Sequence, residues 1–138
     1  MSLTCILHNR INTIQSCILG GSLGWKINEG SKFYSDSRHC YIELQTDGNL
    51  VLYRDFDHKA FWASGTGGKD ISNVQFQSDG NLVLYDKEGS AVWSSDTHNK
   101  GVQRLILQDD GNFVMYDGDD KAVWSTHTSS KDACRGLL

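Results

Sequence analysis

Gln45-Thr46-Asp47-Gly48-Asn49-Leu50-Val51-Leu52-Tyr53 returns as Gln77-Ser78-Asp79-Gly80-Asn81-Leu82-Val83-Leu84-Tyr85. A third copy reads Gln108-Asp109-Asp110-Gly111-Asn112-Phe113-Val114-Met115-Tyr116. Asp-Gly followed by Asn, between runs of alternating character, is a strong local signal for a tight turn joining antiparallel strands. The chain therefore predicts three hairpins built from one pattern, Gln-x-Asp-Gly-Asn-x-Val-x-Tyr.

Side chains of a strand alternate between its two faces. Leu50 and Leu52 suit a core, as do Phe113 and Met115 in the third copy. Asn49, Val51 and Tyr53 share the other face, and Gln45 and Asp47 add an amide and a carboxylate across the turn. Turn chemistry explains Asp-Gly-Asn, and ordinary strand preference explains Val and Tyr. Neither explains the repeated Gln, nor the whole set at fixed offsets, so the outer face reads as a binding surface.

Around the motif the chain is an array. Gln45 and Gln77 are 32 residues apart, Gln77 and Gln108 are 31 apart, and Trp62, Trp93 and Trp124 recur every 31 residues. Regular spacing of this kind is the mark of repeat architecture. Each unit reads as a strand (40–45), the turn, a strand (49–53), a polar turn and a strand (60–64). The first polar turn is one residue longer than the second, which accounts for the spacing of 32. Three sheet-forming units cannot each bury an apolar face alone, so the pattern predicts closure around a shared axis filled by the three tryptophans. The units run about 38–68, 69–99 and 100–130, within a domain spanning 18–138 that follows an extension at 1–17. Residues 18–33 read as two short strands separated by a turn.

The chain has 138 residues, with 13 Lys and Arg against 17 Asp and Glu, a net charge of −4. That suits one domain and supplies no basic stripe for nucleic acid. No apolar run approaches the ~18 residues of a membrane span, so no membrane insertion is expected. No signal-peptide layout is visible at the N-terminus. A secreted, extracellular setting is slightly favoured, with a cytoplasmic one left open. Fourteen glycines and no proline suit many short strands with tight turns.

Other constellations carry less. No Cys-x-x-Cys occurs among Cys5, Cys17, Cys40 and Cys134, and the five histidines are scattered, so no metal site is expected. Asp117-Gly118-Asp119-Asp120 lacks the ligand series of a calcium loop and reads as a solvated turn. Asp47, Asp79 and Asp110 fall one per unit, too far apart to serve as an acid–nucleophile pair. No enzyme activity and no cofactor are expected.

The triplicated motif with its following Trp resembles the bulb-type, or monocot, mannose-binding lectin family over roughly residues 18–130. The resemblance implies an all-β fold, a β-prism of three antiparallel four-stranded sheets with pseudo-threefold symmetry. It implies one mannose pocket per sheet, in which Gln, Asp, Asn and Tyr bond sugar hydroxyls and Val packs on ring carbons. Carried over, the pockets are Gln45, Asp47, Asn49, Val51 and Tyr53; Gln77, Asp79, Asn81, Val83 and Tyr85; and Gln108, Asp110, Asn112, Val114 and Tyr116. The chemistry suits a hexose, whose hydroxyls each donate and accept: Asp only accepts, while Gln, Asn and Tyr do both. An axial hydroxyl met by Asp and Asn would separate mannose from glucose, because the wrong epimer leaves buried polar groups unpaired.

The expected partners are mannose, oligomannose glycans and glycoproteins, with a homodimer, often strand-exchanged in the family, as the expected assembly. A protein-binding or toxin-like scaffold with vestigial sugar binding is the alternative, a glycan-processing enzyme another, and a β-trefoil the rival fold. Plant members usually carry a cysteine where this chain has Gly48, bonded to one five residues before the next motif's Gln. Here that second position is Ser72. By repeat counting, Cys40, Ser72, Gln103 and Cys134 occupy one position, so a closed ring predicts a Cys40–Cys134 disulfide, with Cys5–Cys17 stapling the extension.

Overall fold

The computed structural model describes residues 16–19 and 25–130. They form twelve strands and no helix. In chain order these are β1 (Ser16–Leu19), β2 (Trp25–Asn28), β3 (Lys32–Tyr34), β4 (Cys40–Leu44), β5 (Leu50–Arg54) and β6 (Lys59–Ala63). There follow β7 (Ile71–Phe76), β8 (Leu82–Asp86), β9 (Ala91–Ser94), β10 (Val102–Leu107), β11 (Phe113–Asp117) and β12 (Ala122–Ser125).

Three antiparallel four-stranded sheets result, ordered β3-β4-β5-β6, β2-β7-β8-β9 and β1-β10-β11-β12. Each takes three strands from one repeat, as the hairpin spacing predicts. The fourth comes from the segment before the repeats, which gives one short strand to each sheet in reverse order. Three strands stand where the sequence suggested two, and β1 begins at Ser16, inside the expected extension. β1 joins the sheet of the last repeat through Cys17↔Ile106 and Ile18↔Leu105, which ties the start of the fold to its end.

Alternation sets the core. Ile42, Leu44, Leu50, Leu52, Val74, Phe76, Leu82, Leu84, Leu105, Leu107, Phe113 and Met115 point inward and are buried. Trp62, Trp93 and Trp124 pack on this cluster and meet edge to face, with ring centroids 5.8, 6.0 and 6.2 Å apart. That geometry pairs the positive ring edge of one indole with the negative face of the next, as aromatic quadrupoles prefer. The tryptophans thus close the axis.

A β-bulge recurs on each tryptophan strand. Leu52 pairs Trp62 but Tyr53 pairs Ala60, and the same shift occurs at Tyr85 and Tyr116. The extra residues are Phe61, Val92 and Val123, which pack against the core beside their tryptophans. Bulges re-aim side chains in this way.

A second bulge distinguishes the units. Registers shift between Ile71 and Asn73 and between Val102 and Arg104, but not in β4. Ser72 and Gln103 are therefore bulge residues, whereas Cys40 pairs Arg54 and is fully buried. In packing, Cys40 corresponds to Ile71 and Val102 rather than to Ser72 and Gln103, so repeat counting misplaces it by one residue. No free cysteine occurs among the described residues. Cys5 and Cys134, the expected partners of Cys17 and Cys40, lie outside them.

Candidate functional site

Each motif folds into the same three-residue hairpin. Gln45 N–H donates to the Asn49 carbonyl and Gly48 N–H to the Gln45 carbonyl, both at 2.9 Å. Gly48, Gly80 and Gly111 sit at φ of 94°, 89° and 89°, where a side chain is strained. At Gly48 the reason is also steric: a Cβ would stand 2.2 Å from the Lys69 carbonyl oxygen. The cysteine that the resemblance would place there has no room in this chain.

The aspartate serves the turn first. Asp47, Asp79 and Asp110 each accept the N–H of the asparagine two residues on, at 2.9 Å. This is the Asx turn, which mimics a backbone turn with a carboxylate. In the first hairpin Gln45 donates to both oxygens of Asp47 at 3.1 Å and accepts from the Tyr53 hydroxyl. In the second and third, the Gln77 and Gln108 amides donate to Tyr85 and Tyr116. The tyrosine thus leans along its strand to the glutamine eight residues earlier in every sheet, and in the first sheet the Asp47 carboxylate joins the pair.

Asparagine does something the sequence reading did not foresee. Its carbonyl holds the loop after the tryptophan strand: the Asn49 Oδ1 accepts from Gly65 N–H, Thr66 N–H and the Ser64 hydroxyl at 3.0–3.2 Å. Asn81 and Asn112 repeat this with Thr97 and Ser95, and with Thr128 and Thr126. Thr66, Thr97 and Thr128 return a bond to the carbonyl of the motif glycine, at 2.7, 2.7 and 2.5 Å. Ser64, Ser95 and Thr126 also cap the first N–H of the motif strand. Asparagine is a clasp as well as a candidate ligand, with its amide nitrogen left to donate.

The clasp had a signal. Two and four residues after each tryptophan stand Ser64 and Thr66, Ser95 and Thr97, and Thr126 and Thr128. The residue between them adopts positive φ in all three units: Gly65 at 75°, Asp96 at 58° and His127 at 58°.

Val51, Val83 and Val114 lie on the floor of the patch, 4, 3 and 2% exposed. They offer a sugar ring a narrow apolar contact rather than a broad one. The fifteen expected residues are therefore brought together as three sets of five, one set on each sheet.

The walls of the patches differ. Two and four residues before the glutamine stand Glu43 and Tyr41, Gln75 and Asn73, and Ile106 and Arg104, paired across from the motif's Val and Tyr. Tyr41 lies between Tyr34 and Tyr53, with centroids 5.3 Å away on each side, under the Lys32 ammonium 4.5 Å from its ring. Its hydroxyl bonds His58 Nδ1 at 2.8 Å. Burial first, then the Glu43 and Asp55 carboxylates, push the Tyr41 phenol up to about 12. Tyr53 is raised as well, by burial and then by Glu43 and Asp47.

In the third sheet the Arg104 guanidinium lies 4.7 Å from the Tyr116 ring centroid and bonds Asp120 at 2.6 Å. The Asp117 carboxylate accepts Asp119 and Lys121 N–H at 2.8 and 3.0 Å, bonds that hold it below the usual carboxylate range. Asp117–Asp120 is thus a turn that satisfies itself. No group of three potential metal ligands occurs among the described residues.

No protein-family model matches the chain, and no curated protein matches it. Solved structures do. A lectin from Marasmius oreades is 36% identical, with a TM-score of 0.73 over 83% of this chain and 92% of its own. A monomeric monocot mannose-binding lectin from Gastrodia elata is 33% identical, with a TM-score of 0.68 over 83% and 99%. The mannose-specific agglutinin of snowdrop, Galanthus nivalis, solved with methyl-α-D-mannoside, is 32% identical, with a TM-score of 0.64 over 83% and 98%.

Proposed function

The chain belongs to the bulb-type mannose-binding lectin family, and on that footing we propose that each of its three motif hairpins is a metal-free pocket for one mannose residue. The protein is a lectin, a carbohydrate-binding protein without catalysis. The observation that carries the three-pocket reading is the Gln–Tyr bond made in every sheet, next to the turn aspartate and an asparagine whose carbonyl is engaged. The Asp carboxylate keeps acceptor capacity for a sugar hydroxyl, the Asn amide nitrogen donates, and the Tyr hydroxyl does either.

A shallow site with a handful of bonds binds weakly, and ~1 mM corresponds to about 4 kcal/mol. Useful strength then comes from multivalency, by about 10²–10⁴ over one site when glycan spacing matches. Oligomannose glycans and glycoproteins are the proposed targets and a homodimer the proposed assembly. We also propose the Cys40–Cys134 disulfide, on the closure of the ring, with non-reducing peptide mapping as its check.

Titration with methyl mannoside in excess chelator tests the pockets. Saturable binding is expected, with tighter binding to mannan, and Asp47→Ala, Asp79→Ala and Asp110→Ala combined should abolish it while the fold persists. Binding that needs a metal, or that survives in the triple variant, would overturn the proposal.

A further inference from the structure

The three pockets share their five residues but not their surroundings, and the differences are of charge. Two positions flank each pocket on the strand before the motif, and two more lie on the tryptophan-strand side. In the first sheet these are Tyr41 and Glu43, then Ala63 and Gly65; in the second, Asn73 and Gln75, then Ser94 and Asp96. In the third they are Arg104 and Ile106, then Ser125 and His127. Two sheets thus set an acid beside the pocket, and the third sets a guanidinium on one side and an imidazole on the other.

Arg104 faces the pocket strand, and His127 stands two residues past the end of β12. Arg104 pairs across from Tyr116 and stacks on its ring at 4.7 Å. Ser125 pairs across from Val114, and the His127 Nδ1 lies 3.4 Å from the Ser125 hydroxyl. A groove of about 330 Å³ runs along this flank, lined by Ala122, Val123, Trp124, Ser125 and His127. Two strand spacings, about 10 Å, separate β10 from β12, enough to seat a sugar between the flanks. Asp96, the counterpart of His127, accepts instead from Ser94 at 2.8 Å.

Of three acids in this neighbourhood, one sits on Arg104 itself and two are held elsewhere. Asp120 pairs with Arg104 through a single nitrogen and is 77% exposed, so a ligand anion can compete with it at little cost. Asp109 accepts the Ser37 N–H of the neighbouring β3–β4 turn at 3.0 Å. Asp117 is spent on its own turn. In the other sheets, Lys32 and Lys26 stand one strand further out, across from Glu43 and Gln75.

We infer that the third pocket accepts mannose bearing a phosphate ester, held by Arg104 on one flank or by His127 on the other, and that the first pocket, beside Glu43, disfavours it. This rests on the mannose-pocket reading above. One charge pair near contact distance at the surface multiplies affinity about fivefold at low salt, less as salt screens it.

The test uses the full chain reduced to one pocket. Asp47→Ala with Asp79→Ala leaves the third, and Asp79→Ala with Asp110→Ala leaves the first. Each is titrated with methyl mannoside, its 3-, 4- and 6-monophosphates, and inorganic phosphate. The expected result is one ester bound about fivefold tighter than methyl mannoside by the third-pocket protein alone. Either Arg104→Gln or His127→Asn, whichever lies on the flank that the preferred ester's phosphate reaches, should lower that ratio, which is read within each variant; a ratio unmoved by both overturns the inference. Methyl mannoside binding with no ester preference overturns the inference and leaves the pocket standing. So does an equal preference in the first-pocket protein, or inorganic phosphate binding as tightly as the ester. No binding of methyl mannoside at all by the third-pocket protein would remove the pocket reading there and this inference with it.

Discussion

The two ends of each motif strand obey opposite rules. At its start, the hairpins of β5, β8 and β11 keep one motif and the same turn and clasp bonds in all three sheets, with only the glutamine's bonds differing in the first. At its far end the turns diverge. In the first, Arg54 forks onto Asp57 at 2.6 and 2.9 Å, lies 4.7 Å from the ring of Phe56, and leaves that ring 47% exposed. In the other two, Asp86 and Asp117 accept N–H groups of their own turns. The far turn has only to reverse the chain. The hairpin must also hold the loop after the tryptophan and present the outer patch, so each of its letters answers to more than one neighbour.

The comparison can be broken hardest at the motif glycine. Gly48→Ala puts a Cβ 2.2 Å from a backbone carbonyl at positive φ. Strain and overpacking together should cost roughly 2–6 kcal/mol, read by urea unfolding. Gly80→Ala should cost less, since there the tightest neighbour is the Val102 side chain at 3.0 Å. Equal losses would show that the Lys69 segment yields easily.

Next comes the clasp. Asn81→Ala strips partners from Thr97 N–H and the Ser95 hydroxyl and should cost about 1–3 kcal/mol. Asn81→Asp, which keeps an acceptor, should recover much of that loss. A stability unchanged by Asn81→Ala would reduce asparagine to a ligand alone.

The smallest effect lies in the walls. Tyr41 is 3% exposed and its phenol sits near 12 in the fold. A raised folded-state value means that the native state holds its proton more tightly than the unfolded chain, whose phenol titrates near 10. Stability is therefore untouched by this group below about pH 10 and falls between about pH 10 and 12. Unfolding followed across that window should show the decline, with a shallower slope in Tyr41→Phe. Identical slopes would mean that the phenol escapes before it titrates.

Much of this was legible because the motif repeats. Period-two alternation separated Leu50 and Leu52 from Val51 and Tyr53, and the tryptophan spacing predicted an axis that the indoles do fill. The strands of 16–34 were harder, since three or four residues hold too few alternations to declare a face, and their partners lie 85–91 residues away for β1, 45–51 for β2 and on the neighbouring strand for β3. The bulges at Ser72 and Gln103 could not be counted from sequence, because each of the two intervals between motifs contains one and the strand without one, β4, precedes the first motif. The clasp is visible in the sequence as Ser or Thr at fixed distance from each tryptophan. Its meaning depends on the asparagine carbonyl of another strand.

The central claim is that three hairpins, built alike and walled differently, each hold one mannose. A crystal soaked in methyl mannoside tests it most directly. The account predicts sugar density over Asp47, Asp79 and Asp110 alike, bonded to Gln, Asp, Asn and Tyr with no metal between. Sugar at any other surface, with the three hairpins bare at saturating ligand, would contradict it.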